Sequence, residues 1–376
     1  MRPGPQSADS PQFDLSSWGA DEATWQLDAF GVHVRADLPL VGATPEAAGV
    51  DQRAPTASGH TVRISRLEGE SPSGARAEVL LERVHPDGSI GMRVYRLDDQ
   101  SYLVEAPGHG TFQVARDGSV IWYKDLTDPR WRWHRPLCAQ VLPLAATLQG
   151  FELLHASAVV LGDRVIAFVA ESGGGKTSLA LALLARGASL VTDDVLALEA
   201  VDGKTIAHPG VPMANVAGDQ MKLLSDVDRV RLGFVMGASD KVHVEVSNMP
   251  VEALQLGAVF FLCRSSVIDR LTFEPADPPD PRDLLAATFM PHIVTPRRLM
   301  TQLRTCAEVA ANVPIFKLSA PAELPAMDLA PAVEWQVSRV LACATTRGAC
   351  TPRDIRAPET GRGIAGGAQE PPPVTR

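Results

Sequence analysis

This 376-residue sequence predicts an α/β fold with a smaller β-rich domain ahead of it. Two observations carry the prediction. Between Val165 and Asp194, a short apolar run, a glycine-rich loop, a leucine–alanine stretch and a second apolar run ending in two aspartates follow one another. That is the order strand, loop, helix, strand. From 24 to 130, by contrast, apolar residues recur in short alternating runs separated by turn residues, the pattern of a β-rich domain.

The first of these units organises the chain. Val165, Ile166, Ala167, Phe168 and Val169 are β-branched, small or aromatic and read as a buried strand. The loop that follows, Ala170 to Thr177, reads AESGGGKT. It meets the phosphate-loop (P-loop, Walker A) pattern G-x-x-x-x-G-K-[ST] except at Ala170, where the first glycine is expected. Glycines bring backbone N–H groups close to oxyanions, and the helix start adds partial positive charge at the same point. Glu171, Ser172, Gly173, Gly174, Gly175, Lys176, Thr177 and Ser178 are the candidate nucleotide-binding residues. In this pattern Lys176 reaches the β- and γ-phosphates and the Thr177 hydroxyl holds Mg²⁺. Leu179, Leu181, Leu183 and Leu184 among alanines predict the helix, and Gly187 its end. Ser189 to Thr192 forms the second strand, and Asp193 and Asp194 at its end are placed to complete a metal site or take a proton from an acceptor hydroxyl.

Ahead of this unit, residues 1–23 are rich in Pro, Ser, Gln and Asp and read as a disordered tail, and 24–130 as the β-rich N-terminal domain. The run from Ala77 to Lys124 predicts short antiparallel strands, with turns at Pro86-Asp87-Gly88, Asp98-Asp99 and Asp117-Gly118. This domain shows no catalytic constellation. The catalytic domain is assigned to 131–344. Pro136 to Leu148 has helical spacing interrupted by Pro143, and Trp131, Trp133 and His134 read as anchors of a domain junction rather than a ligand-facing patch.

Beyond Asp194 the strand is expected to continue through Val195, Leu196 and Leu198. Asp219 reads as an N-cap, ahead of a possible carboxylate role, and Lys241 as a surface lysine. Ala258 to Cys263 and Pro314 to Leu318 read as strands, and the segments opened by Asp280-Pro281 and Thr295-Pro296 as helices. Arg297, Arg298 and Arg304 read as a solvated basic face, and Glu334 to Thr345 as a last helix. The remainder, 345–376, reads as a second disordered tail.

Composition narrows the function. A net charge of −9 argues against a nucleic-acid binder. No apolar run reaches the roughly 18–20 residues that span a bilayer, and the N-terminus has no apolar signal region. Five scattered cysteines suggest free thiols, so the cytoplasm is the expected location.

From His155 to Asp194 the sequence resembles the catalytic domain of the HPr kinase/phosphorylase family. The likeness rests on the AESGGGKT loop, on His155 before it, and on Arg186-Gly187 followed by Asp193-Asp194. It implies a P-loop fold shared with ATP-dependent phosphoenolpyruvate carboxykinases. It also implies ATP and Mg²⁺ as cofactors, and γ-phosphoryl transfer to a hydroxyl of an acceptor protein or peptide. By that resemblance Asp194 accepts the proton, Asp193 supports the metal and His155 orients or assists the acidic site. The sequence resembles the divergent HPr-kinase-like proteins, some of which are similar to kinases acting on a serine of a ribosomal peptide such as a lasso precursor. A homo-oligomer is compatible with the likeness. Three rival readings stand beside it: a non-catalytic nucleotide-binding module, a small-metabolite kinase, and a carboxykinase-like enzyme with His208, Lys241 and His243 as loose metal-ligand candidates.

Overall fold

Alternating burial along Val32–Ala36 and Thr61–Arg66, with Val32, Val34, Ala36, Val62 and Ile64 inside, sets one face of a sheet against a core. In the computed structural model, which describes residues 24–46, 59–69, 78–127, 131–224, 231–234 and 241–345, that sheet has nine strands. The expected tails 1–23 and 345–376 lie outside the described residues, apart from Thr345.

The N-terminal sheet runs Thr44–Pro45, Trp25–Ala29, Val32–Ala36, Thr61–Arg66, Val120–Lys124, Gly110–Val114, Tyr102–Ala106, Ile90–Arg96 and Glu78–Val84. The last five form the antiparallel run expected from the sequence. Thr61–Arg66 is different: it pairs in parallel on both sides. Three turns of the run share one device. Asp87, Asp99 and Asp117 each accept from both the backbone N–H and the hydroxyl of the serine two residues on. This Asx geometry closes the turn locally and is written in the sequence as Asp-x-Ser.

The inner face of this sheet packs on a long helical segment. Trp131–Pro136 and Leu142–Gln149 are α-helical, and Leu137–Val141 between them is π-helical. Pro143 has no N–H to continue the regular ladder, and the Leu142 N–H reaches back five residues to the Leu137 carbonyl. The interruption expected at Pro143 is thus a widened turn rather than a break. Trp133 and His134 are buried, and the Val41 N–H donates to His134 Nε2 at 2.9 Å, tying the helix to the chain below the sheet.

The second sheet holds the candidate site. Its main path is Glu152–Leu154, Leu196–Val201, Lys204–His208, Leu254–Ser265, Arg164–Val169, Ala156–Leu161 and Ser189–Thr192, with Ile315–Pro321 beside Leu254–Ser265 and Thr272–Pro275 beside that. Arg164–Val169, Leu254–Ser265 and Ile315–Pro321 are parallel neighbours. Their alternate residues face opposite layers: Ile166, Phe168, Phe260 and Phe316 meet the helices Lys176–Leu184 and Ala326–Thr345. Val165, Ala167, Val169 and Val259 meet Pro281–Ala286 and Pro296–Asn312. Met213–Ala217, Lys241–Glu245 and Arg231–Phe234 form a small third sheet. The fold is therefore mixed α/β. Among the described residues no helix is long and apolar enough to cross a membrane.

Four expectations change. The chain does not run on as one strand past Asp194. Leu196–Val201 is a separate strand paired with Glu152–Leu154, because the backbone turns at the two aspartates. Asp219 lies inside a 3₁₀ turn, Gly218–Leu223, and Ala217 is the residue at its cap, so Asp219 is no N-cap. The last helix starts at Ala326, ahead of Glu334, with Pro331 in its first turns. Of the three arginines read as a solvated face, Arg298 is 4% exposed. Its guanidinium donates to the carbonyls of Phe289, Met290 and Ile293 and meets Glu152 at 3.3 Å. A helical position next to the cap does not reveal that its side chain turns inward to hold an irregular loop.

A buried carboxylate left without its cation is costly, about 3–5 kcal/mol in comparable sites. Arg298→Met is expected to lower unfolding stability by about that amount, read as a drop in the denaturation midpoint in urea. An unchanged midpoint would show that the loop Thr288–Ile293 is held by other contacts.

Candidate active site

The loop after Arg164–Val169 is shaped by its glycines. Gly173 and Gly175 take φ of +80° and +94°, in the left-handed region that side chains resist. A Cβ at Gly174 would stand 2.7 Å from the Cβ of Ala170 and 3.1 Å from the Glu171 carbonyl oxygen. The methyl group at Ala170, the one departure from the phosphate-loop pattern, is accommodated because Gly174 opposite has none. Gly175 caps Lys176–Leu184 without a side chain, so the first N–H groups of that helix open onto the loop. Glu171 and Ser172 are exposed at its rim, and Ser178 Oγ accepts from the Gln220 side chain. Gly187 follows the helix with φ of +101° and closes the turn into Ser189–Thr192.

The Lys176 ammonium is buried and donates to the carbonyls of Ala170 at 2.7 Å and Glu171 at 3.3 Å, so it lies across the mouth of the loop. Thr177 Oγ1 donates to Asp193 Oδ1 at 2.8 Å. The strand order explains this meeting. Ser189–Thr192 is parallel to Arg164–Val169, with Ala156–Leu161 between them, so loop and aspartates emerge at the same sheet end.

Asp193 also accepts from Ser157 Oγ at 2.7 Å and from the Asn215 N–H at 2.9 Å. Burial, and then the neighbouring Asp194 charge, push its carboxyl up to about 6 in spite of these donors. Asp194 has φ of +76°, rare for a side-chain-bearing residue and worth about 1 kcal/mol of local strain. The turn it makes brings its carboxylate to the Asn215 side-chain amide and near His155. His155 Nε2 is 4.0 Å from Asp194 Oδ1. The backbone N–H of His155 is pinned to the Ala287 carbonyl at 2.7 Å, and its ring lies edge-on to Phe289. Burial, then the Lys176 charge, lower the His155 pKa.

Thr177 thus meets Asp193, with Asp194 and His155 beside them, and the sequence missed five other residues nearby. Ser157 and Asn215 hold Asp193, but single polar residues in a strand give no sequence signal. Arg83, on the edge strand Glu78–Val84, and Arg135, in the first helical turns after the sheet, lie within electrostatic range of Asp194. The N-terminal sheet, read as bare of chemistry, therefore sends a cation to the site. Arg264 lies against Gly175 and donates to the Ala322 and Leu324 carbonyls.

Thr177 and Asp193 present a hydroxyl and a carboxylate 2.8 Å apart, an oxygen pair suited to Mg²⁺, which keeps several waters and takes few protein ligands. No cluster of three or more His, Cys, Asp or Glu able to hold a metal occurs among the described residues. His208 is paired with Glu199 at 3.1 Å, His243 is buried in the third sheet, and the Lys241 side chain lies outside the described residues.

A carboxyl whose folded pKa exceeds its unfolded value stabilises the fold while protonated. The Asp193 contribution to unfolding stability is therefore expected to fall as pH rises from about 4 through about 6. Asp193→Asn is expected to remove that contribution, so that the stability of the variant slopes more steeply upward with pH than that of the parent chain, and a carboxyl NMR titration should give a midpoint near 6. A midpoint near 4, or the same slope in the variant, would contradict the assignment.

No protein-family profile matches the chain, and no curated protein matches it. Among solved structures it is similar to the HPr(Ser) kinase/phosphatase from Coxiella burnetii, at 15% identity and a TM-score of 0.28, over 51% of this chain and 97% of that one. At that TM-score the likeness adds no weight to either fold or function.

Proposed function

We propose that this protein is an ATP-dependent kinase that transfers the γ-phosphoryl group to a hydroxyl, a serine of a protein or ribosomal peptide. One observation carries the reading: the Thr177–Asp193 hydrogen bond at 2.8 Å, which joins the glycine-rich loop to the first of the two aspartates. A loop that merely turned the chain would have no use for a lysine, a threonine and two aspartates converging there.

The roles follow from the chemistry of phosphoryl transfer, in which positioning and charge neutralisation supply most of the rate. The loop amides and Lys176 cradle the phosphates. Thr177 and Asp193 hold Mg²⁺, which when bound neutralises charge on the β- and γ-phosphates. Asp194, turned out of the strand, accepts the proton of the acceptor hydroxyl. The acceptor oxygen forms its bond to the γ-phosphorus as the bond to the bridging oxygen breaks, and ADP leaves. His155, its pKa lowered, orients the Asp194 carboxylate without competing for that proton.

Two variants test the reading. Lys176→Ala is expected to abolish transfer of labelled phosphate while the circular-dichroism melt is retained. Asp194→Asn is expected to lower transfer by about 10²–10⁴-fold with nucleotide affinity kept, the range general-base groups supply. Full activity in the first variant ends the proposal. Nucleotide binding with no transfer to any hydroxyl would favour a binding module instead.

A further inference from the structure

A cavity of about 230 Å³ opens between the N-terminal sheet and the helix that follows it. Its walls include Arg83, His85, Gly91 and Met92 from the sheet and Arg135 and Gln140 from the helix. Ala139 lines both this cavity and the smaller cleft that includes Asp193 and Asp194, so the two spaces adjoin at that residue.

The charge at the cavity is one-sided, from Arg83 and Arg135. Arg83 and Arg135 are close enough to repel each other electrostatically. Neither forms an ion pair among the described residues, and the Arg135 Nη1 is buried with no hydrogen-bond partner. The Gln140 Oε1 is likewise buried and unpartnered. Gly91 has no side chain where a Cβ would stand 2.7 Å from His85 Nε2, and this lets the His85 ring fold into the wall. Two guanidiniums brought together at a cavity, with a donor left over, cost free energy that an anion between them offsets. Asp194 attracts both arginines and Asp193 attracts Arg135, but neither carboxylate makes a salt bridge with them among the described residues.

We propose that this cavity is the acceptor subsite, and that it takes a carboxylate or phosphate group between Arg83 and Arg135 while the acceptor hydroxyl lies at Asp194. This rests on the kinase reading for the hydroxyl, but the anion site itself stands on the cavity alone. It makes the acceptor an anionic hydroxyl compound, either a free hydroxy acid or a serine beside acidic residues. It also gives the N-terminal sheet a part in choosing the acceptor.

The test is calorimetry on the full chain with MgADP present and four probes: inorganic phosphate, glycerate, an acetylated and amidated Ser-Glu-Glu peptide, and glycerol as the neutral control. An anionic probe is expected to bind and glycerol not. Arg135→Gln and Arg83→Gln are each expected to weaken that binding about tenfold or more, the size of one lost charged hydrogen bond, with MgADP affinity unchanged. Glycerate outbinding the peptide names a free acid as the source, and the reverse names an acidic serine segment. Should Arg135→Gln fail to fold, Arg83→Gln on the exposed edge strand carries the test. No anionic binding up to about 10 mM, or binding indifferent to both substitutions, overturns the subsite. The two readings fail separately. Phosphate binding that survives Lys176→Ala and is lost in Arg135→Gln keeps the cavity even if no transfer occurs. Transfer with arginine-independent anion binding keeps the kinase and removes the cavity.

Discussion

Asp193 is the point through which the site is held together. Its two oxygens take a hydroxyl from Thr177 at the end of the glycine-rich loop, a hydroxyl from Ala156–Leu161 and an N–H from the third sheet. Three elements that share no continuous stretch of chain are thereby fixed to one carboxylate. The hydrogen bonds explain how a carboxylate can sit half-buried there, and the desolvation that remains, with the Asp194 charge, explains why its proton is held more firmly than usual. Asp194 gains its freedom from the same arrangement. With its neighbour anchored, the backbone can turn through a left-handed residue and present a second carboxylate outward.

Much of this was legible in the sequence, and the legible parts share a cause. The strand, loop, helix and strand from Arg164 to Thr192 are local, with burial periodicity and glycine chemistry agreeing at each step. Thr295 and Asp280 cap their helices as their positions before proline suggest. What was hidden depends on packing between distant segments. The inward turn of Arg298 and the parallel pairing of Thr61–Arg66 have no counterpart in nearby residues. Ser157 and Asn215 belong to the same class: each is one polar residue in an apolar strand, and only the register of the sheets brings it to Asp193. The Asp-x-Ser turns are the opposite case, a local signal present three times and read only in part.

The N-terminal sheet is joined to the rest by a shared core rather than a hinge of loops. Buried residues from its strands, from the helix Trp131–Gln149 and from Val195, Ala197, Val211 and Met213 form one apolar cluster. Because Val195 adjoins Asp194 and Met213 lies two residues from Asn215, packing in the sheet and geometry at the carboxylates are mechanically linked.

The π-helical turn Leu137–Val141 carries one more residue than a regular turn holds, and the side chains beyond it keep their phase on that account. Leu144 and Leu148 lie in the shared core with the extra residue present. Removing one position there would rotate Leu142–Gln149, which is buried along its whole length, by about 100° and set each side chain against a different neighbour. Length across this turn is therefore a packing constraint in its own right, separate from the identity of the residues that fill it.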